Sequence, residues 1–288
     1  MTTMWINGEL VEESQARVNA LDHGFTVGDG VFETIKVVSG RPFALTRHLT
    51  RLNSSAIGLG LGEIDRSRIE NAVEEILDDN QHAAIGRMRI TLTSGTGPLG
   101  SGRGHSQHTL VVAVSAAAQW PAECGILLVP WTRNERSALN GIKSTSYAEN
   151  AKALHHAHQH DMAEAIFFDT HERLSEGTGT NIFAVIDGQV CTPSVDCGLL
   201  QGITRELVIQ WCDAAGISVM QKHINAQELD SAEEVFLVST TRDVQPVTIA
   251  KHMDNQLHIV SSREYKQGPV TKKIAHLFQA QASNNIDP

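Results

Sequence analysis

Apolar and polar residues alternate from Trp5 to Val11 around Asn7-Gly8, a pair that readily takes positive φ, so a tight hairpin is expected at the start. Val31-Phe-Glu-Thr-Ile-Lys-Val-Val38 is rich in β-branched residues, breaks at Ser39-Gly40 and resumes over Arg41 to Leu45, which predicts a second hairpin. Thr46 then reads as a helix cap. Leu45, Leu49, Leu52 and Ala56 keep helical spacing to about Ile57, and His48 and Arg51 fall one turn apart on that helix. A second helix is expected over 66–79, followed by strands over 86–94 and 108–114 around a Gly-rich loop, Ser94 to Gly104.

Periodicity is lost over 116–123, around Pro121, which predicts a domain boundary. Beyond it, strands at about 125–130, 163–169, 181–186, 217–222 and 234–239 alternate with helices at about 147–160, 203–215 and 262–280. The expected architecture is α/β (α+β) in two domains, a smaller one over 1–118 and a larger one over 119–288, with the tail from Gln279 frayed.

A chain of 288 residues suits two domains, and 41% apolar with 19% charged residues is the composition of a chain with real cores. A formal net charge of -10 disfavours nucleic acid or an acidic membrane surface as the main partner, while leaving room for a local pocket that takes one phosphate. The cysteines Cys124, Cys191, Cys197 and Cys212 form no C-x-x-C pair, which favours reduced thiols and a cytoplasmic protein. The first residues lack the pattern of an export signal, and no stretch has the apolar length of a membrane span.

The chemistry concentrates in three blocks: Leu174-Ser-Glu-Gly-Thr-Gly-Thr-Asn-Ile-Phe183, Val190-Cys-Thr-Pro193 and Leu199-Leu-Gln-Gly-Ile-Thr-Arg205. The last is a glycine turn into a helix that starts near Ile203, where free backbone N–H groups and the positive helix end suit a phosphate. Taken alone, such a turn is more often plain capping. Together, Glu176-x-Thr-x-x-Asn181-Ile-Phe183, Val190-x-Thr192 and Leu200-x-Gly202-Ile-x-Arg205 resemble the signature of the class IV aminotransferases, enzymes of pyridoxal 5'-phosphate (PLP) with fold type IV. Gly28-Asp-Gly-Val-Phe-Glu-Thr34, His48-Leu-Thr-Arg51, Gly141-Ile-Lys143 and Ser239-Thr-Thr241 extend the resemblance over nearly the whole chain.

The resemblance implies that Lys143 carries PLP as a Schiff base and shuttles protons, and that Glu176 faces the pyridine nitrogen so that the ring accepts electrons. It implies a phosphate cup built from Arg51, the backbone N–H groups of Ile203 and Thr204, and Thr240 with Thr241. Tyr147 is implied at the ring oxygen and Leu200 on the ring face, with Asn181 bracing the Glu176 turn. A homodimer is implied as well, with the cofactor in the cleft between domains. Without that context, Lys143 and Glu176 read as ordinary solvated charges.

Other features carry less. His155, His156, His158 and His160 read as a polar helix face with no ligand set, so no metal is expected. The Gly-rich loop lacks a Gly-Lys-Ser/Thr ending and reads as a mobile substrate loop. Ser144 to Ser146 beside Lys143 would suit a Ser-Lys hydrolase, but no Gly-x-Ser-x-Gly turn occurs.

Thr34, where branched-chain enzymes of the family read Gly, resembles the lyase and D-amino-acid branches, while Thr93-Ser-Gly-Thr lacks the Arg-x-His trap of the latter. The leading expectation is therefore an enzyme like aminodeoxychorismate lyase, which eliminates pyruvate and leaves 4-aminobenzoate. The alternative is an aminotransferase of branched-chain or other amino acids or amines.

Overall fold

The computed structural model describes residues 3–80 and 85–288. The chain forms two compact units, Met1–Gln119 with Ile142–Tyr147 and Asn285–Pro288, and Trp120–Gly141 with Ala148–Asn284.

In the first unit, β1 (Thr3–Ile6) and β2 (Glu9–Glu12) turn at Asn7 and Gly8, both at positive φ. A single helical turn, α1 (His23–Thr26), precedes β3 (Gly30–Val38), β4 (Arg41–Pro42), α2 (Leu45–Leu59), α3 (Arg66–Asp79), β5 (Ile85–Thr93) and β6 (Thr109–Ala116). The strands make one antiparallel sheet in the order β2-β1-β6-β5-β3-β4. One face carries Val31, Ile35, Val37, Met88, Ile90 and Val112 against Leu49 and Leu52 of α2 and Ile69, Val73 and Ile76 of α3. Burying each such side chain contributes about 2 kcal/mol.

Two readings change here. The second hairpin arm is only two residues long, because Ala44 turns into the left-handed region (φ 56°) and ends the strand. Thr46 is not the cap of α2. The helix starts one residue earlier, and Ala44 at the cap position has no side chain to offer.

In the second unit, β7 (Cys124–Arg133), α4 (Ala148–Gln159), β8 (Glu164–Asp169), β9 (Leu174–Gly177), β10 (Asn181–Ile186) and β11 (Gln189–Pro193) lead to α5 (Ile203–Ala214). Then follow β12 (Val219–Lys222), α6 (Ala226–Ser231), β13 (Glu234–Ser239), β14 (Asp243–Met253), β15 (Ile259–Glu264) and α7 (Pro269–Asn284). The sheet runs β12-β11-β10-β13-β14-β7-β8-β9, with β15 added to β14, and mixes parallel with antiparallel pairs.

The strands β9, β11 and β14 go beyond the sequence reading. Pro246 hides β14, since proline demotes a strand, but it lies ahead of the stretch from Val247 that pairs with β7. The helix expected over 262–280 starts at Pro269, because Ile259 to Glu264 pair with β14. Proline is favoured at a first helical position, and Glu234 of β13 accepts from the N–H groups of Val270 (3.1 Å) and Thr271 (2.7 Å), closing that helix end. The tail is not frayed from Gln279 either: α7 continues to Asn284, and the segment after it hydrogen-bonds to α2.

Candidate active site

In the first unit the lysine segment is stitched to the start of β3. The Phe32 N–H donates to Lys143 O at 3.0 Å, the Thr145 N–H donates to Gly30 O at 2.8 Å, and Ser144 bridges Val31. The hydroxyls of Thr145 and Ser146 donate to Gly28 O at 2.9 and 3.0 Å. This approach explains the Gly28-Asp-Gly30 motif. A Cβ on Gly28, whose φ is +70°, would stand 2.7 Å from Ser146 Oγ. Read along the chain, Lys143 falls in the second domain; these bonds join it to the first unit.

Lys143 Nζ lies 4.4 Å from the centre of the Phe32 ring, and Tyr147 meets Phe32 edge-on with centroids 5.3 Å apart. The Arg89 guanidinium carbon stands 3.7 Å from the same Phe32 ring centre. Phe32 and Thr34 occupy the row of β3 that faces away from the core, and Arg89 pairs directly with Thr34. Sequence reasoning missed Arg89 and Phe32. The available signal is the alternation on β5, which puts Arg87 and Arg89 on one face and Met88 and Ile90 on the other.

The opposite row of β3 reads Val31, Glu33, Ile35, Val37, so Glu33 is a carboxylate in an apolar row. It is fully buried and receives Arg51 Nε at 2.7 Å, Arg51 Nη2 at 2.6 Å and His48 Nδ1 at 2.7 Å. Burial pushes the Glu33 pKa up, but Arg51 and His48 overcome it and hold the group at about 2. Burial lowers the His48 pKa, and the ring Nε2 is enclosed without a hydrogen-bond partner among the described residues. One turn beyond Arg51, Ser55 accepts the Lys143 N–H at 3.3 Å.

In the second unit the Leu200 N–H donates to Glu176 Oε2 at 3.0 Å, while Asn181 Nδ2 donates to Leu200 O at 2.9 Å. Asn181 therefore braces Glu176 through the Leu200 peptide. Arg133 at the end of β7 was not anticipated. Its Nε stands 3.4 Å from Glu176 Oε1, its guanidinium carbon lies 4.3 Å from the Phe167 ring centre, and Nε and Nη2 are buried without a hydrogen-bond partner among the described residues.

Ile203 and Thr204, both buried, open α5, whose cap residue Gly202 offers no side chain. The glycine is required by packing, since a Cβ there would meet Asn181 Oδ1 at 2.1 Å. Thr240 and Thr241 form the turn between β13 and β14, and Thr241 Oγ1 accepts from Trp120 Nε1 at 3.3 Å. The histidines of α4 and His160 just after it are not uniformly a polar face: His156 packs against Trp131 and His160. The Gly-rich loop is tied down through Arg103, which donates to both Asp29 oxygens (2.7 and 2.6 Å) and to the carbonyls of Leu59 and Gly60.

Residues 30–250 match the model of the family described as "Amino-transferase class IV", and the chain belongs to that family. It is 31% identical, over 96% of its length and 95% of the relative's, to a putative branched-chain-amino-acid aminotransferase of Methanocaldococcus jannaschii. It is 29% identical to a D-alanine aminotransferase of Bacillus licheniformis over 95% of this chain and 94% of that one. Among solved structures, the branched-chain aminotransferase of Thermoproteus uzoniensis with norvaline superposes with a TM-score of 0.87 at 28% identity, covering 96% of this chain and 93% of that one. A putative 4-amino-4-deoxychorismate lyase of Legionella pneumophila gives 0.80 at 25% identity, covering 93% and 96%. Class IV aminotransferases are PLP enzymes, and the fold is that of fold type IV.

Proposed function

We propose that this chain is a PLP-dependent aminotransferase that moves an amino group between an amino acid and a keto acid. This reverses the order of the two readings from sequence, because the relatives at 31% and 29% identity bear the names of aminotransferases. The observation that carries the proposal is the triad on the outer face of the first sheet, with the Lys143 amine and the Arg89 guanidinium both set against Phe32. An amine for the chemistry and a cation for a substrate carboxylate are what an amino-acid and keto-acid pair requires.

The donor set suits PLP. An α5 terminus without a side-chain cap suits a phosphate dianion, and a carboxylate held by a backbone N–H suits a protonated pyridine nitrogen. Buried Arg133 donors without a hydrogen-bond partner mark that part of the second unit as polar. When bound, PLP supplies an aldehyde that condenses with amines and a ring that draws electrons from the substrate Cα.

With PLP bound, Lys143 would hold the cofactor through its amine, beside Phe32 and Tyr147, and would take a proton from the substrate Cα. Glu176, which accepts from the Leu200 N–H and lies beside Arg133, would hold the ring nitrogen, and Leu200 would offer the ring an apolar contact. The family resemblance assigns phosphate contacts to Arg51 of the first unit and, in the second unit, to the N–H groups of Ile203 and Thr204 and to Thr240 with Thr241. The family resemblance favours a homodimer, and the cysteine usage favours a cytoplasmic protein.

The second reading is the lyase. It is favoured by the likeness to the Legionella lyase and by Thr34, which lies opposite Arg89 in the register of β3 and β5. The visible spectrum of the holoenzyme separates the two. Conversion of the cofactor band by an L- or D-amino acid, reversed by a keto acid, supports transamination. Pyruvate release from 4-amino-4-deoxychorismate with no such conversion overturns it in favour of the lyase.

A further inference from the structure

The N-terminus of α2 is finished by residues from the other end of the sequence. Ala44, at the cap position, has no hydrogen-bonding side chain, and the first-turn N–H groups of a helix need acceptors from outside it. Asp287 provides one. The Thr46 N–H donates to Asp287 Oδ1 at 2.9 Å, and the Thr46 hydroxyl donates to Oδ2 at 2.6 Å. Ala44 N–H donates to Ile286 O at 2.7 Å, and Arg47 Nε donates to Pro288 O at 2.7 Å. Asn285 Oδ1 receives the Asp287 N–H at 3.1 Å and shapes the segment. The carboxylate also sits at the positive end of the helix, where a negative charge is favourable.

We infer that segment 285–288 is the N-terminal cap of α2, and that Asp287 is thereby a positioning residue for Arg51. Arg51 lies five residues beyond Thr46, about 7.5 Å along the helix axis. Between them His48 makes the first helical hydrogen bond, from its N–H to Ala44 O at 3.1 Å, and its ring reaches Glu33. Fraying of the first turn would loosen His48 and then Arg51. The inference deepens the proposed phosphate role of Arg51 and rests on it.

Asp65 supplies a matched control, because it caps α3 by accepting from the Arg68 N–H at 3.0 Å and no proposed site residue lies on that helix. Asp287→Ala, Asp287→Asn, Asp65→Ala and Arg51→Ala are compared by thermal midpoint, by PLP titration of the apoprotein and by amide exchange over residues 45–51. Asp287→Ala is expected to speed exchange over 45–51 and weaken PLP binding about three- to tenfold, the change in equilibrium that loss of one cap produces. Asp287→Asn, which keeps an acceptor, should restore most of both. Asp65→Ala should lower the midpoint comparably and change neither.

Unchanged exchange over 45–51 in Asp287→Ala overturns the cap itself. Faster exchange with unchanged PLP affinity, while Arg51→Ala weakens binding, overturns the positioning role. Unchanged affinity in Arg51→Ala overturns the phosphate assignment of Arg51, and the positioning role with it.

Discussion

Arg51 of α2 and Glu33 of β3 are joined by two hydrogen bonds, Nε to Oε1 at 2.7 Å and Nη2 to Oε2 at 2.6 Å, around a carboxylate that is fully buried. A two-point pair fixes the direction of a guanidinium far better than a single bond does. Glu33→Gln leaves Arg51 and His48 facing a neutral amide. Breaking a buried ion pair by removing one partner costs about 3 to 5 kcal/mol, so a clear fall in thermal midpoint is expected, together with weaker PLP binding by the apoprotein. A midpoint unchanged within error would contradict the structural role of the pair.

The same cluster sets an acid limit. Burial opposes the charge on Glu33, but Arg51 and His48 hold its pKa at about 2 against an ordinary 4.5, so the folded state takes up this proton later than the unfolded chain. Its contribution to stability is complete above pH 4.5 and is lost as pH falls toward 2. His48, depressed below 6.5 by burial, adds a loss in the same direction that begins near pH 6.5. Denaturant titrations of the wild type and Glu33→Gln between pH 7 and 3 should show the shallower dependence in the variant.

Lys143 is half-buried, packed on Phe32 by its amine, and its replacement removes no core side chain. Lys143→Ala is expected to keep the fold while losing the borohydride-reducible PLP peptide at position 143. A wild-type phosphopyridoxyl group found on a lysine other than Lys143, or a variant that still yields a reduced adduct as fully as the wild type, would sink the assignment; peptide mapping by mass spectrometry reads it directly.

Glu176→Gln keeps an amide oxygen for the Leu200 N–H but removes the charge beside Arg133. PLP should still bind, and kcat should fall about a hundredfold or more, as when one preorganised electrostatic group is removed. Steady-state kinetics with unchanged kcat would remove the proposed role at the ring nitrogen.

Arg89→Met tests the carboxylate role. Loss of one charged hydrogen bond corresponds to roughly ten- to a hundredfold, so KM for the amino and keto acids should rise by that factor, with Arg89→Lys in between. An effect on kcat alone, with KM unchanged, would place Arg89 elsewhere in the reaction.

The sequence by itself determined the family and much of the local structure. The blocks from Leu174 to Arg205 lie close together along the chain, and helix and strand periods are local properties, so α3 and β10 fall on the residues expected. Even Glu33 was legible in principle, as a carboxylate among Val31, Ile35 and Val37 in one row of a strand. Tertiary structure decided the rest. Lys143, Arg89 and Phe32 meet because sheet register brings β3 beside β5 and the lysine segment returns to β3. Asp287 completes a helix 241 residues away in sequence. Periodicity states which face a side chain takes; which distant residue meets it depends on register and topology, and no local pattern carries those.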